Sequence, residues 1–240
     1  MNLCIDIGNT LLKVALFVTD NQMIQKFTFE TEKELIDWVD SLEFQNAVIS
    51  SVKGQENEIL AHVHCYKKKL IFNNGINFPI KNLYQTPETL GKDRLAAAIG
   101  ALALFPKQSC LVIDAGTCIT YDFITTNGEY VGGAISPGMK MRFKALSQFT
   151  AKLPLIEPEE NVKLIGVNTK TSIQSGVING IKFEIEKTIE EYQQNYPDLQ
   201  VILCGGDAHF FESIIKGVIF AFPDLVLFGL NHTLHHNAIS

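Results

Sequence analysis

Two short stretches of the chain answer one another, and any fold it adopts must accommodate both. Leu3-Cys-Ile-Asp-Ile-Gly-Asn-Thr10 is echoed by Leu111-Val-Ile-Asp-Ala-Gly-Thr117, and each is followed by another apolar run. In both, a β-type segment enters Asp, a one-residue step, Gly and a hydroxyl residue, the pattern of strand, tight turn and returning strand. The copies differ by one residue between Gly and Thr. Two halves that open alike point to duplication and to two domains, residues 1–108 and 109–240, with polar groups at each hairpin tip.

Between the hairpins the periodicity switches between helix and strand. Thr31 to Leu42 carries Leu35, Ile36, Val39 and Leu42 at helical spacing, while Ala47 to Val52 and Leu70 to Phe72 read as short strands. Asp93 to Phe105, rich in Ala and Leu, reads as a buried helix that stops before Pro106. In the second half, Thr171 to Asn195 puts Ile173, Val177, Ile181, Ile185 and Ile189 at helical spacing. Val201 to Cys204 is a strand running into Gly205-Gly206-Asp207, a turn that admits close backbone approach to a ligand. No low-complexity linker separates the halves, the boundary falls near Lys107 to Ser109, and a tight cleft between two lobes is expected.

Composition narrows the classes. With 240 residues, 46% apolar and 19% charged, the chain can bury its cores and is too apolar to be disordered. A net charge of −6 leaves no basic footprint for nucleic acid. The N-terminus has no basic n-region of a secretory signal, and the apolar stretch Ile214 to Leu230 is interrupted by Lys216, Pro223 and Asp224, so no membrane span is expected. Five scattered cysteines without a C-x-x-C pair fit a reducing, cytoplasmic setting, with core rather than reactive roles.

A phosphate site needs glycine for close backbone approach, hydroxyl or cationic groups for the oxygens, and carboxylates for a metal. Asp6-Ile-Gly-Asn-Thr10 with Lys13 on the returning strand supplies all of these. One such turn could equally spend its Asp and Asn on its own backbone; the second acidic turn and the later Gly-Gly turn favour a ligand. Neither G-x-x-x-x-G-K-[ST] nor G-x-G-x-x-G occurs, which leaves P-loop and Rossmann folds without support. At Gly91-Lys-Asp-Arg94, Asp93 reads either as an ordinary acidic residue of a helix start or as a general base beside an anion-binding Arg94, and spacing leaves both open. Glu129 to Gly138 reads as a hairpin followed by a turn, or as backbone close to a ligand or to a neighbouring strand. His232, His235 and His236, with no acidic or cysteine partner nearby, read as a solvated tail.

Taken together, these motifs resemble the type III pantothenate kinases, a branch of the acetate-kinase, sugar-kinase and actin superfamily. The resemblance spans nearly the whole chain and rests on D-x-G-N-T-x-x-K at Asp6 to Lys13, G-x-D-R at Gly91 to Arg94 and D-A-G-T at Asp114 to Thr117. It rests also on G-G-x-I-x-P-G at Gly132 to Gly138 and G-x-N-T with a following S-G at Gly166 to Gly176. It implies an α/β fold of two ribonuclease-H-like, actin-like lobes with mixed sheets, ATP in the cleft between them, and pantothenate converted to 4′-phosphopantothenate, the first intermediate on the route to coenzyme A. By motif position, Asp6, Ile7, Gly8, Asn9, Thr10, Leu11, Leu12 and Lys13 would hold the ATP phosphates, with Asp6 serving magnesium, and Thr117 would touch the nucleotide. Asp93 would be the base, Asp114 would bind a monovalent cation such as potassium or ammonium, and Tyr84, Gly91, Lys92, Arg94 and Thr169 would contact pantothenate. A homodimer is implied. The rivals are a nucleotide-binding regulatory protein of the same superfamily and a kinase for another small alcohol; a base beside an anion-binding arginine speaks for catalysis.

Overall fold

The computed structural model describes residues 1–18, 22–217 and 219–239. In chain order the elements are β1 (Asn2–Ile7), β2 (Leu12–Val18), β3 (Gln22–Phe29), α1 (Glu32–Val39), β4 (Glu43–Ser51), α2 (Glu56–His62), β5 (His64–Ile71), β6 (Lys81–Asn82) and α3 (Lys92–Leu104). There follow β7 (Cys110–Ala115), β8 (Cys118–Ile124), β9 (Glu129–Pro137), α4 (Met139–Gln148), α5 (Thr169–Gln174), α6 (Gly180–Asn195), β10 (Gln200–Cys204), α7 (Ala208–Glu212), β11 (Phe220–Ala221) and α8 (Leu225–Ile239).

The internal echo is carried into topology. The first sheet has the order β3-β2-β1-β4-β5, antiparallel across β1, β2 and β3 and parallel across β1, β4 and β5. The second repeats it as β9-β8-β7-β10-β11, with β7, β10 and β11 parallel, and β6 pairs with the first residues of β9. Each hairpin of the echoed motif opens one of these sheets. The division into compact units departs from the sequence division at 108/109. The first unit comprises Met1–Gln108, Phe123–Gly132 and the chain from Asp224 onward; the second comprises Ser109–Asp122 and Gly133–Pro223.

The C-terminal segment explains part of that departure. Far from being a solvated tail, the histidine-bearing end is helix α8, whose Thr233 and Leu234 are fully buried against the first unit's elements β1, β4 and α3. Burial, helped by the neighbouring His235 and His236, pushes the His232 imidazole below its ordinary pKa. α8 lies against α3 at glycine contacts: a Cβ on Gly229 would stand 1.8 Å from the Ala96 carbonyl oxygen, and one on Gly100 would stand 2.6 Å from that of Leu225. The other face of the first sheet packs Leu3, Ile5, Ile7, Val14 and Ile49 under α1 and α2, with Thr31 capping α1 through a reciprocal pair with Glu34.

In the second unit, Glu129 to Gly138 is one strand followed by a helix start rather than a hairpin, because Gly133 lies so close to the neighbouring backbone that a Cβ would overlap the Tyr121 carbonyl. The helix expected over 171–195 is interrupted by a π-helical stretch, Ser175–Asn179, set between α5 and α6. There Ser175 Oγ donates to the Leu164 carbonyl at 2.5 Å, fastening the preceding loop. A polar knot joins β8, β9, α4 and α6: Glu184 accepts from Tyr121 at 2.8 Å and from Arg142 at 2.6 Å, and Arg142 also donates to Ser136 Oγ at 2.9 Å and to the Pro137 carbonyl at 2.8 Å. Burial raises the Glu184 pKa, but hydrogen bonds from Arg142, Tyr121 and Ser136 outweigh it and leave the carboxyl below its ordinary 4.5.

Gly229→Ala gains the better helix former, by about 1 kcal/mol, yet forces a methyl into the Ala96 carbonyl, so we expect a net loss of about 2 kcal/mol in denaturant unfolding. An unchanged midpoint would show that the α3–α8 contact gives way freely. For Glu184, whose folded pKa is depressed, the stabilisation is present above the unfolded pKa and lost as pH falls through the folded one. Glu184→Gln should therefore lower stability at neutral pH by roughly 1 kcal/mol, discounted for partial exposure, and the deficit should shrink below about pH 4.5. A deficit that stays constant down to acid denaturation would contradict the ionic reading.

Candidate active site

In the first unit the turn after β1 is closed by Gly8 N–H donating to the Leu11 carbonyl at 3.1 Å. Asn9, Thr10 and Leu11 are exposed at the tip, while Ile7 and Leu12 belong to the core and fix the hairpin from below. Antiparallel register sets Lys13 opposite Asp6, and parallel register sets Ser50 of β4 on its other side. Alternation places these side chains on the face opposite the Leu3–Ile5–Ile7 core, in a row Lys13–Asp6–Ser50 at the strand ends. A single carboxylate beside a backbone turn suits magnesium held mainly by phosphates and water, and no group of three His, Cys, Asp or Glu among the described residues could hold a metal alone.

The helix start at α3 is brought to the same strand ends. Lys92 Nζ donates to the Ser51 carbonyl at 3.1 Å and to Glu56 at 2.5 Å, and Glu56 is buried. Ser51 pairs with Ile7, and Val52 N–H donates to the Ile7 carbonyl at 3.2 Å, so the Gly91–Arg94 turn is tied to the strand that ends in the Asp6 hairpin. Lys92, expected against substrate, turns its ammonium onto Glu56 and Ser51 and so anchors the turn. Gly91 is explained by space: a Cβ there would stand 2.5 Å from Asp93 Oδ1, which accepts from Arg94 N–H at 2.9 Å.

Arg94 is buried, and its guanidinium carbon lies 5.9 Å from the centre of the Tyr84 ring. Tyr84 in turn packs at 6.0 Å from Tyr130 and borders Gly132, whose φ of +133° would strain any other residue. A cationic group walled by aromatic rings is thus assembled from segments that no local spacing joins.

In the second unit the hairpin after β7 is closed by Gly116 N–H donating to the Cys118 carbonyl at 2.9 Å, with Thr117 exposed at its tip. Asp114 sits among main-chain groups. A Cβ on Gly205, at φ +91°, would stand 2.3 Å from Asp114 Oδ1 and 2.5 Å from the Ala115 carbonyl oxygen; one on Gly138 would stand 2.3 Å from those of Gly116 and Thr117. Only glycine permits this close backbone approach around the partly buried Asp114, whose carboxylate is the acidic oxygen donor a cation would use here. Asp207 N–H donates to the Ala115 carbonyl at 2.8 Å, and burial pushes the Asp207 carboxyl above its ordinary range against the opposing pull of Lys140. Thr169 opens α5, exposed, behind Asn168, which caps the helix by a reciprocal pair with Thr171. Sequence reading passed over Glu56, Ser50, Arg142 and Glu184; none lies in a short motif, and only strand register or helix packing gives them neighbours.

Comparison with known proteins agrees with this geometry. The chain is 43% identical over 245 residues to a type III pantothenate kinase of Bacteroides fragilis, with 99% of this chain and 98% of that one covered. It is 41% identical over 242 residues to one of Christiangramia forsetii, covering 99% of each. Among solved structures, a Campylobacter jejuni protein described as of the Baf family of transcriptional activators superposes with a TM-score of 0.66 at 22% identity, over 99% of this chain and 100% of that one. The activator of 2-hydroxyisocaproyl-CoA dehydratase from Clostridium difficile, with bound ADPNP, gives 0.54 at 13% identity, over 99% and 94%. The structural likenesses show a shared α/β fold with mixed sheets flanked by helices. With the type III pantothenate kinase profile matching residues 2–191 as well, the chain belongs to the type III pantothenate kinase family.

Proposed function

We propose that this protein transfers the terminal phosphate of ATP to the primary hydroxyl of pantothenate, giving 4′-phosphopantothenate for coenzyme A synthesis in the cytoplasm. The observation that carries the reading is the fastening of the Gly91–Arg94 turn to the strand ends beside Asp6, through Lys92, Ser51 and Glu56. It gives an acid–base residue and an anion-binding residue a fixed place next to a phosphate-binding hairpin. Asp93 accepts the proton of the attacking hydroxyl, and Arg94, set against Tyr84, receives the substrate carboxylate. The backbone and Lys13 of the Asp6–Lys13 hairpin take the phosphates, with Thr117 also serving the nucleotide, and Thr169 serves pantothenate.

Asp6 would hold magnesium, which would supply charge neutralisation on the phosphates. Asp114 would hold potassium or ammonium, which would supply a single positive charge. The working form is a homodimer: the second unit leaves Phe149, Leu164, Ile165 and Val167 more than 65% exposed, a load of apolar surface that a second copy would cover, beside Thr169 of the pantothenate contact.

Asp93→Asn keeps the size and removes the base, so turnover should fall by about 10²-fold or more while ATP affinity stays within twofold, read by pantothenate-dependent ADP release and by nucleotide titration. Near-normal turnover would overturn the role of Asp93; ADP release without pantothenate would overturn the substrate. After removal of other monovalent ions, activity should be lost in sodium and restored by potassium or ammonium, and Asp114→Asn should abolish that response. Full activity in sodium would remove the cation from the mechanism.

A further inference from the structure

Ser50 is 1% exposed, and among the described residues its Oγ has no hydrogen-bond partner. A buried hydroxyl left in that state weakens the folded protein, and its persistence calls for a ligand that uses it. Two other buried oxygens are also without partners, Asn46 Oδ1 and Gln55 Oε1. Asn46 belongs to an amide chain with Asn2 and Asn231 at the opposite end of β4, and Gln55 precedes α2. Ser50 alone among them stands in the row with Asp6 and Lys13.

We infer that the Ser50 hydroxyl donates a hydrogen bond to an oxygen of the terminal phosphate of bound ATP; this rests on the nucleotide role of the Asp6–Lys13 hairpin. A hydroxyl can donate and Lys13 can only donate, so the two flanking positions of the row both suit an anion, while Asp6 between them suits the metal's side of the same group. The terminal phosphate is the one concerned because the next residue, Ser51, receives Lys92 from the turn that bears Asp93. The acceptor alcohol must meet the transferred phosphate on that side.

The test is Ser50→Ala, studied by calorimetric titration with magnesium ATP and magnesium ADP and by thermal unfolding without ligand. Expected are an unfolding temperature equal to or above wild type, ATP affinity about tenfold weaker, and ADP affinity unchanged. Unchanged ATP affinity overturns the inference, and so does equal loss for ATP and ADP, which would move the contact to another phosphate. A ligand-free protein that unfolds several degrees lower overturns it too, by showing that the hydroxyl has a structural partner. If wild type itself binds neither nucleotide, the failure lies with the nucleotide role of Asp6–Lys13 and carries the inference down with it.

Discussion

The Glu56–Lys92 pair, its carboxylate buried and its ammonium 33% exposed, is the constraint that places the first turn of α3. Taking the carboxylate out of water costs several kcal/mol, and the pair recovers this only because geometry is tight and the ammonium also donates to the Ser51 carbonyl. An apolar pair could hold a helix against a sheet as firmly. It would not fix the rotation of the helix start, whereas an ion pair plus a directed hydrogen bond to one carbonyl does. The first turn of α3 is therefore set in register with β4, and through the Ile7–Ser51 pairing with β1. Asp93 and Arg94 inherit that placement, since they follow Lys92 directly.

The next turns of α3 are fixed by a different force. Ala96, Gly100 and Gly229 let two helix backbones meet with almost no side chain between them, so the contact is made of many short dispersion contacts and tolerates no added atom. This is why the chain's last helix belongs with its first residues. α8 contributes no group to the site, yet it backs the helix whose start carries the candidate base. The start of α3 is held by charge and its next turns by close packing, and Asp93 lies between these two contacts.

What the sequence disclosed and what it hid follow from the range of the forces involved. The hairpins at Asp6 and Asp114, the helix following Thr31 and the helix ending before Pro106 are local: a few adjacent residues determine them, and they were readable as such. The end helix was not, because α8 spreads Asn231, His232, Thr233, His235, His236 and Asn237 around its circumference and gives no single polar face to mark its period, and its histidines suggest solvent. At Glu129 to Gly138 the glycine density pointed both to a hairpin and to close approach of a neighbouring strand, and the second is what forms: Gly133 meets the Tyr121 carbonyl of β8. Among candidate site residues, motifs named those that are grouped in sequence, whereas Ser50 and Glu56 acquire meaning only from pairing with β1 and α3.

The two echoed hairpins set one local motif among different neighbours. Both hairpins present Asp, one residue, then Gly, and the turn geometry is set by backbone hydrogen bonds of nearly equal length, 3.1 Å at Gly8 and 2.9 Å at Gly116. The neighbours differ. Asp6 lies between a lysine and a hydroxyl, donors that make the row receptive to anionic oxygen. Asp114 lies against Gly205, and the carbonyls of its hairpin take backbone N–H groups, Ala115 from Asp207 and Thr117 from Gly138. A carboxylate alone prefers positive charge, and flanking donors shift the same position towards anionic oxygen. The two proposed roles, phosphate at one hairpin and a cation at the other, therefore turn on residues outside the repeated motif, and repetition of the motif does not by itself imply repetition of a role.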